Sequence, residues 1–293
     1  MQADCFARHR IAFEMDYALL EDTLVLATRR VGIAVYDFDF ELHFKCRHPP
    51  SFDEGTPCVL RIGAVEDYSR CYSGLLELGL HAVNSPAEYA RASELEHWYP
   101  LLSDLTPRTR VFDALPGVEE IESEFAWPIF LKGSRQTNRH NAQLSVIRDR
   151  EQYAWVAERY RRDPVLSWQR PAVREFVPLQ PVAGGIAGKV PASMEFRSFW
   201  WQGECLGWGR YWYQAPAYTC GDIEVGLALA GEAARRLAVP FLVVDIAKTV
   251  EGRWIVIECN DAQESGYAAA SPQAIWRALL ERMCEPARLA SRG

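Results

Sequence analysis

Apolar residues over the first hundred positions fall into two alternating patterns. Short runs rich in β-branched residues at Thr23–Ala27, Gly32–Tyr36 and Cys58–Gly63 predict buried strands, and Leu80–Val83 predicts another. Between the last two, Val65, Tyr68, Cys71, Tyr72, Leu75 and Leu76 recur every three or four positions. That spacing predicts a helix over Val65–Leu78, with Gly79 as its stop. Strand, helix and strand in this order predict a parallel βαβ unit. Ser85, Pro86 and Glu88 then supply a hydroxyl N-cap, a first-turn proline and the acid of a capping box, so a helix is predicted over Pro86–Leu95. Proline disfavours helical backbone just before it, so the stretch 105–112 around Pro107 reads as extended. A first boundary falls near Glu96.

A second unit begins at Trp127 with a strand that ends in Lys132, Gly133 and Ser134. Further strands are predicted at Gln143–Ile147 and Pro171–Pro178, with a helix at Glu151–Tyr160 between them, a smaller βαβ alternation. Arg135–Asn141 carries no apolar anchor and is predicted to be a mobile loop. In the third unit, Met194–Trp201 and Glu204–Tyr213 flank Gln202-Gly203. A two-residue turn there sets Arg197 opposite Trp208 and Glu195 opposite Arg210, a cation–π pair and an ionic pair. Ile223, Leu227, Ala230, Ala234 and Leu237 mark a helix, and the run Phe241–Asn260 reads as a second hairpin. Hairpin, helix, hairpin predicts an antiparallel sheet with a helix on one face and the other face free for a ligand.

The second hairpin carries candidate chemistry. With Glu251-Gly252 as its turn, Asp245 lies opposite Glu258, and Asn260 leaves the same face of the strand. Opposed like charges destabilise a sheet, and a hard cation between them relieves this; Mg²⁺ takes carboxylate and amide oxygens. The hairpin therefore reads either as a metal–nucleotide site of Asp245, Glu258 and Asn260 or as two acids facing solvent on an exposed sheet.

Composition narrows the classes. The chain has 293 residues, 49% of them hydrophobic, and a formal charge of -7 without a long basic run, so a nucleic-acid partner is not expected. No apolar stretch is long enough to cross a bilayer and the first ten residues are charged, so a cytoplasmic protein without a membrane partner is expected. The eight cysteines are scattered with no C-x-x-C pair, which predicts reduced thiols. Glu41, His43, Cys46 and His48 match no familiar metal spacing.

Four segments, in order, resemble the ATP-grasp superfamily. Pro128–Ser134 resembles the strand whose lysine reaches the nucleotide phosphates and the loop that folds over them. Val173–Pro178 resembles the hinge between lobes, whose backbone at Phe176 and Val177 meets the adenine edge. Glu195–Phe199 resembles the strand that presents an arginine to phosphate, and Asp245 with Glu258-Cys259-Asn260 resembles the metal-binding set. The N-terminal part, with Arg61, the Val83–Pro86 step and Trp98–Leu102, is similar to the preceding domain of an uncharacterised bacterial and phage group of ATP-grasp proteins. Where many members carry a second phosphate-binding lysine, this chain offers Arg108 and Arg110, a different donor geometry; Lys189 is a further candidate, more simply read as structural.

The resemblance implies an α/β protein of α+β lobes: a pre-ATP-grasp α/β domain over 1–95, a lid lobe over 96–178 and a C-terminal ATP-grasp lobe over 179–293. It implies ATP and Mg²⁺ as cofactors and a carboxylate–amine or carboxylate–thiol ligase that works through an acylphosphate, with the two substrates drawn from amino acids, peptides or a protein tail. Lys132 and Arg197 are then the catalytic cations, and Lys132, Ser134, Glu175, Phe176, Val177 and Arg197 bind the nucleotide. Asp245, Glu258 and Asn260 hold the metal. A small-molecule kinase and a non-catalytic nucleotide sensor are the alternatives on the same fold. Arg61 is the candidate for gripping a substrate carboxylate.

Overall fold

The computed structural model describes residues 15–28, 38–49, 52–61, 67–137, 140–185 and 187–290. The expected strand at Gly32–Tyr36 and, within the expected βαβ unit, positions 62–66 at the end of the strand Cys58–Gly63 and the start of the helix Val65–Leu78 lie outside them. In the N-terminal sheet β1 (Met15–Leu20), β2 (Thr23–Thr28), β3 (Cys46–Arg47), β4 (Thr56–Arg61) and β5 (Leu80–Ala82) stand in the order β3-β1-β2-β4-β5. Strands β4 and β5 pair in parallel around helix α1 (Tyr68–Glu77), as the predicted βαβ unit requires. Ser85 and Glu88 close the capping box of α2 (Pro86–Ser93), and α3 (Leu95–Leu102) follows it directly.

A second sheet has the order β6 (Thr109–Val111), β9 (Pro171–Glu175), β7 (Ile129–Gly133), β8 (Val146–Ile147). It is antiparallel throughout, not the smaller βαβ unit expected. The predicted strand at Gln143–Ile147 splits into one turn of helix, α5 (Ala142–Ser145), and two strand residues; α4 (Val118–Glu124) and α6 (Arg150–Arg162) flank it. An N-cap at Asn141 on Gln143 N–H turns the helical start where the apolar run alone reads as extended.

The third sheet is antiparallel, in the order β11 (Glu204–Arg210), β10 (Glu195–Trp201), β12 (Phe241–Lys248), β13 (Trp254–Asp261). Helix α7 (Ile223–Leu237) buries Ala230, Ala233, Ala234 and Leu237 against Leu242, Val244, Ile246, Val256 and Cys259, and Trp98 and Leu102 of α3 join that core. The opposite face is only partly free. Helix α8 (Pro272–Ala290) and the N-terminal sheet cover Phe199, Trp201, Phe241 and Val243 through Ile275, Trp276, Leu20 and Val59. The end of that face carrying Arg197, Asp245 and Glu258 lies beyond this cover, and of the three Glu258 lines a cavity.

Both hairpins contain a bulge. Between β10 and β11 the tight turn at Gln202-Gly203 pairs Trp201 with Glu204, but the register shifts between Phe199 and Trp200. Leu206 is the extra residue, so Arg197 faces Gly209 and not Trp208, and Phe196, not Glu195, faces Arg210. Gly209 has no room for a side chain: a Cβ there would lie 2.2 Å from the backbone nitrogen of Ala270. Between β12 and β13 the connection is the longer loop Thr249–Arg253, which sets Lys248 opposite Trp254 in place of the expected two-residue turn. Carried on unbroken, that register would put Ile257 opposite Asp245. A bulge at Ile257 shifts it by one, and Asp245 pairs with Glu258 after all.

Candidate functional site

Arg197, Asp245 and Glu258 occupy one row across β10, β12 and β13, each directly opposite the next. Period-two alternation puts Phe196 and Trp200 into the α7 core and leaves Arg197 on the other face. On β13, Val256 and Cys259 both point to the core, although three residues apart. The bulge accounts for this: it sends Ile257 and Glu258 together to the open side, where both line a cavity. Lys132, near the C-terminal end of β7 in the second sheet, reaches across and its Nζ contacts Glu258 Oε1.

The row alternates in charge at its ends: Arg197, Asp245, Glu258, Lys132. Arg197 donates from Nε and Nη2 to both oxygens of Asp245 at 2.8 and 2.7 Å, a bidentate pair, and from Nη1 to the carbonyl of Gly266 at 3.0 Å. Its guanidinium lies 4.9 Å from the Tyr211 ring centre. Burial pushes the Asp245 carboxyl up, against the pull of Arg197. Burial acts on Glu258 in the same sense, but the Lys132 ammonium and a hydrogen bond from Asn260 hold it below the usual range. Asn260 thus touches Glu258.

A cavity of about 930 Å³ opens between the second and third sheets. Lys132, Glu175, Phe176, Val177 and Glu258 line it, and its apolar walls include Phe130, Val146, Ile255 and Ile257. Arg197 and Asp245 sit behind it, next to the lining residue Tyr211. Ser134 is elsewhere: it is buried, its N–H bonds the carbonyl of Arg170, and its own carbonyl accepts from Leu95 N–H.

Several expectations are displaced. Arg108 stacks on Phe125 and Arg110 bonds Glu120 and Glu124, and neither lines the cavity; Lys189 does. Arg61 is consumed by structure. Its Nη atoms donate to the carbonyls of Ala262, Gln263 and Ser265 and its guanidinium lies over Tyr267, so it fastens the segment after β13. Of Trp200, Trp201, Trp208, Trp212 and Trp254, Trp212 lines the cavity. The tract after Lys132 is anchored by polar groups where apolar ones are lacking: Gln169 Oε1 accepts from the N–H groups of Arg135 and Gln136, and Asn141 bridges to Lys189. Positions 138 and 139 lie outside the described residues.

Two cavity residues are not part of the site as read from the sequence, in which Glu195 is expected only as an ionic partner of Arg210. His140 Nε2 lies 2.7 Å from the Tyr211 hydroxyl, and burial lowers its imidazole to about 4, so it is neutral near pH 7. Glu195 is buried between Trp212 Nε1 at 3.0 Å and Ser193 Oγ at 3.2 Å. Burial, reinforced by the Asp245 charge, pushes its carboxyl up to about 8. Nothing in an alternating strand distinguishes such an acid from an exposed one; only the partner β12 and the Trp212 side chain bury it.

The raised Glu195 makes a pH prediction. The unfolded chain gives up this proton near its ordinary value of 4.5 while the folded chain keeps it to about 8, so its contribution is fully present below about 4.5 and is lost as pH rises through about 8. Urea midpoints of the native chain and of Glu195→Gln from pH 5 to 9 are expected to diverge, the variant declining less, by a few kcal/mol at most. Parallel curves would return Glu195 to an ordinary acid.

With this geometry in place, the comparisons bear on class. The model of an ATP-grasp domain family, family 3 of its clade, matches residues 109–279. That is more than half of the chain, and the chain belongs to this ATP-grasp family. No curated protein matches it. Among solved structures, the chain is similar to a RimK domain ATP-grasp protein from Sphaerobacter thermophilus, with TM-score 0.52 and 19% identity over 74% of this chain and 77% of that one. It is similar in the same way to the VanG D-Ala:D-Ser ligase from Enterococcus faecalis, with TM-score 0.52 and 15% identity over 75% and 67%. The match to N5-carboxyaminoimidazole ribonucleotide synthetase from Thermotoga maritima covers 71% of this chain and 51% of that one, at TM-score 0.47 and 11% identity. At these identities the likeness is one of fold. No helix among the described residues is long and apolar enough to cross a membrane.

Proposed function

We propose that the chain is an ATP- and Mg²⁺-dependent ligase that joins a carboxylate to an amine or thiol through an acylphosphate. The observation that carries this reading is the row Arg197–Asp245–Glu258 met by Lys132 at the wall of the cavity. The buried Asp245, the half-buried Glu258 and the Asn260 amide form an oxygen-donor set of the kind Mg²⁺ takes, and two cations stand beside them to receive phosphate oxygens. When bound, Mg²⁺ would neutralise charge on the transferring phosphoryl group. Asp245, Glu258 and Asn260 would hold it.

The rest is positioning and charge. Phe130, Val146, Ile255 and Ile257 offer apolar faces for the adenine ring, and the backbone of Phe176 and Val177, next to Glu175, offers its polar edge. Lys132 holds the phosphates, and the fixed planar fork of Arg197 suits the acylphosphate oxygens. A carboxylate oxygen of the first substrate attacks the γ-phosphorus and the bond to the bridging oxygen breaks, which releases ADP. The amine nitrogen then attacks the acyl carbon, and phosphate leaves with the bonding pair while the amine proton passes to solvent.

The test is ADP release from Mg²⁺-ATP with a mixed pool of amino acids and peptides. The ligase reading expects sustained release over many turnovers only when a carboxylate and an amine or thiol are both present. Release with a hydroxyl acceptor alone would make the protein a kinase, and tight nucleotide binding without turnover would make it a sensor.

A further inference from the structure

Glu258 reaches the open face only because of the bulge at Ile257, and a bulge leaves backbone groups outside the ladder. β13 is also the edge strand of its sheet. The Ile257 carbonyl has its partner in the other sheet: Arg174 of β9 donates to it from Nη1 at 2.7 Å. The same guanidinium donates from Nη2 to Thr106 Oγ1 at 2.6 Å and from Nε to Thr109 Oγ1 at 3.1 Å. Thr106 in turn donates to the Val256 carbonyl at 2.8 Å, and the Val256 N–H bonds the Leu105 carbonyl at 2.8 Å. The residue before the bulge is therefore strapped by Leu105 and Thr106, and the bulged residue by Arg174.

Arg174 is buried, its Nε, Nη1 and Nη2 each have a partner, and it borders the cavity. A charge that is costly to bury would be retained there if its fork of donors fixes geometry that a neutral side chain does not. We propose that Arg174 is a positioning residue that clamps the Ile257 bulge, keeping Glu258 on the ligand face beside Asp245, and that it ties the orientation of this acid to the second sheet. If the bulge relaxed into the register of Val256, Glu258 would turn towards the α7 core beside Val256 and Cys259 would leave it, since a shift of one residue exchanges the two faces.

The clamp is tested by hydrogen exchange across 254–261 and by ATP affinity with and without Mg²⁺, on the native chain, Arg174→Met and Arg174→Lys. Only the second measurement rests on the proposed nucleotide site. Both variants are expected to exchange faster in this segment, by about tenfold, while α7 is unchanged. Both are expected to lose about tenfold of the Mg²⁺-dependent gain in affinity and to keep metal-free affinity, and Arg174→Met should add little on top of Glu258→Gln. Unchanged exchange would overturn the clamp, as would an equal loss of affinity with and without Mg²⁺. Full recovery by Arg174→Lys would also overturn it, because a lysine supplies the charge without the fork. If Arg174→Met does not fold, Arg174→Lys decides alone. If the native chain shows no Mg²⁺-dependent affinity, the proposed function fails while exchange still decides the clamp.

Discussion

Arg197→Met is expected to cost about 3–5 kcal/mol of stability and to abolish ADP-forming turnover. The stability loss comes from Asp245, which is 1% exposed and whose two oxygens both accept from Arg197. Removing the cation strands a carboxylate away from water, and an uncompensated buried charge costs far more than an ordinary lost surface contact. The second change that isolates this cause is Asp245→Asn. In urea unfolding, the double variant Arg197→Met/Asp245→Asn should be more stable than Arg197→Met alone, because the amide carries no charge. A single variant within about 1 kcal/mol of the native chain would mean that the pair is screened like an exposed one. Loss of turnover has a separate cause. Asp245 and Arg197 then no longer stand as a fixed pair at the cavity, so Arg197→Lys is expected to keep most of the stability and little of the turnover, since an ammonium does not reproduce a bidentate fork.

The chain's hydrophobic pattern made the elements of the third sheet legible and left their registers half legible. Both hairpins read as simple two-residue turns, and both contain a bulge, which no periodicity announces. In the first hairpin the extra residue Leu206 moved Arg197 from Trp208 to Gly209 and dissolved the expected cation–π pair. In the second, a longer loop and the bulge at Ile257 displace the register in opposite senses, so Asp245 and Glu258 face each other by a different route from the one read in the sequence. The neighbour of Asp245 on its other side, Arg197, was out of reach of hairpin reasoning because β10 and β12 are far apart in sequence and meet only in the folded sheet.

Capping chemistry carried the local readings that held: Ser85 and Glu88 fixed the start of α2 without help from tertiary structure. Tertiary burial decided the rest. Arg61 looks like any strand-end arginine until the carbonyls of Ala262, Gln263 and Ser265 converge on it. Gln169 lies between Trp168 and Arg170 in a stretch that fits no helix or strand period, yet its side chain holds the turn after Lys132. The sheet that carries Lys132 has strands too short for alternation to show which faces pair, and it proved antiparallel where parallel pairing was expected.

Glu258 joins the two sheets at the site, since it touches Lys132, receives a hydrogen bond from Asn260 and stands opposite Asp245. Calorimetric titration of ATP into the native chain and into Glu258→Gln, each with and without Mg²⁺, tests the site directly. The native chain is expected to bind ATP more tightly with Mg²⁺, and Glu258→Gln to lose that gain, on the order of 100-fold or about 2.7 kcal/mol, with its thermal unfolding still cooperative. Equal Mg²⁺-dependent affinity in the two proteins would contradict the account, because it would remove this acid from the nucleotide site altogether.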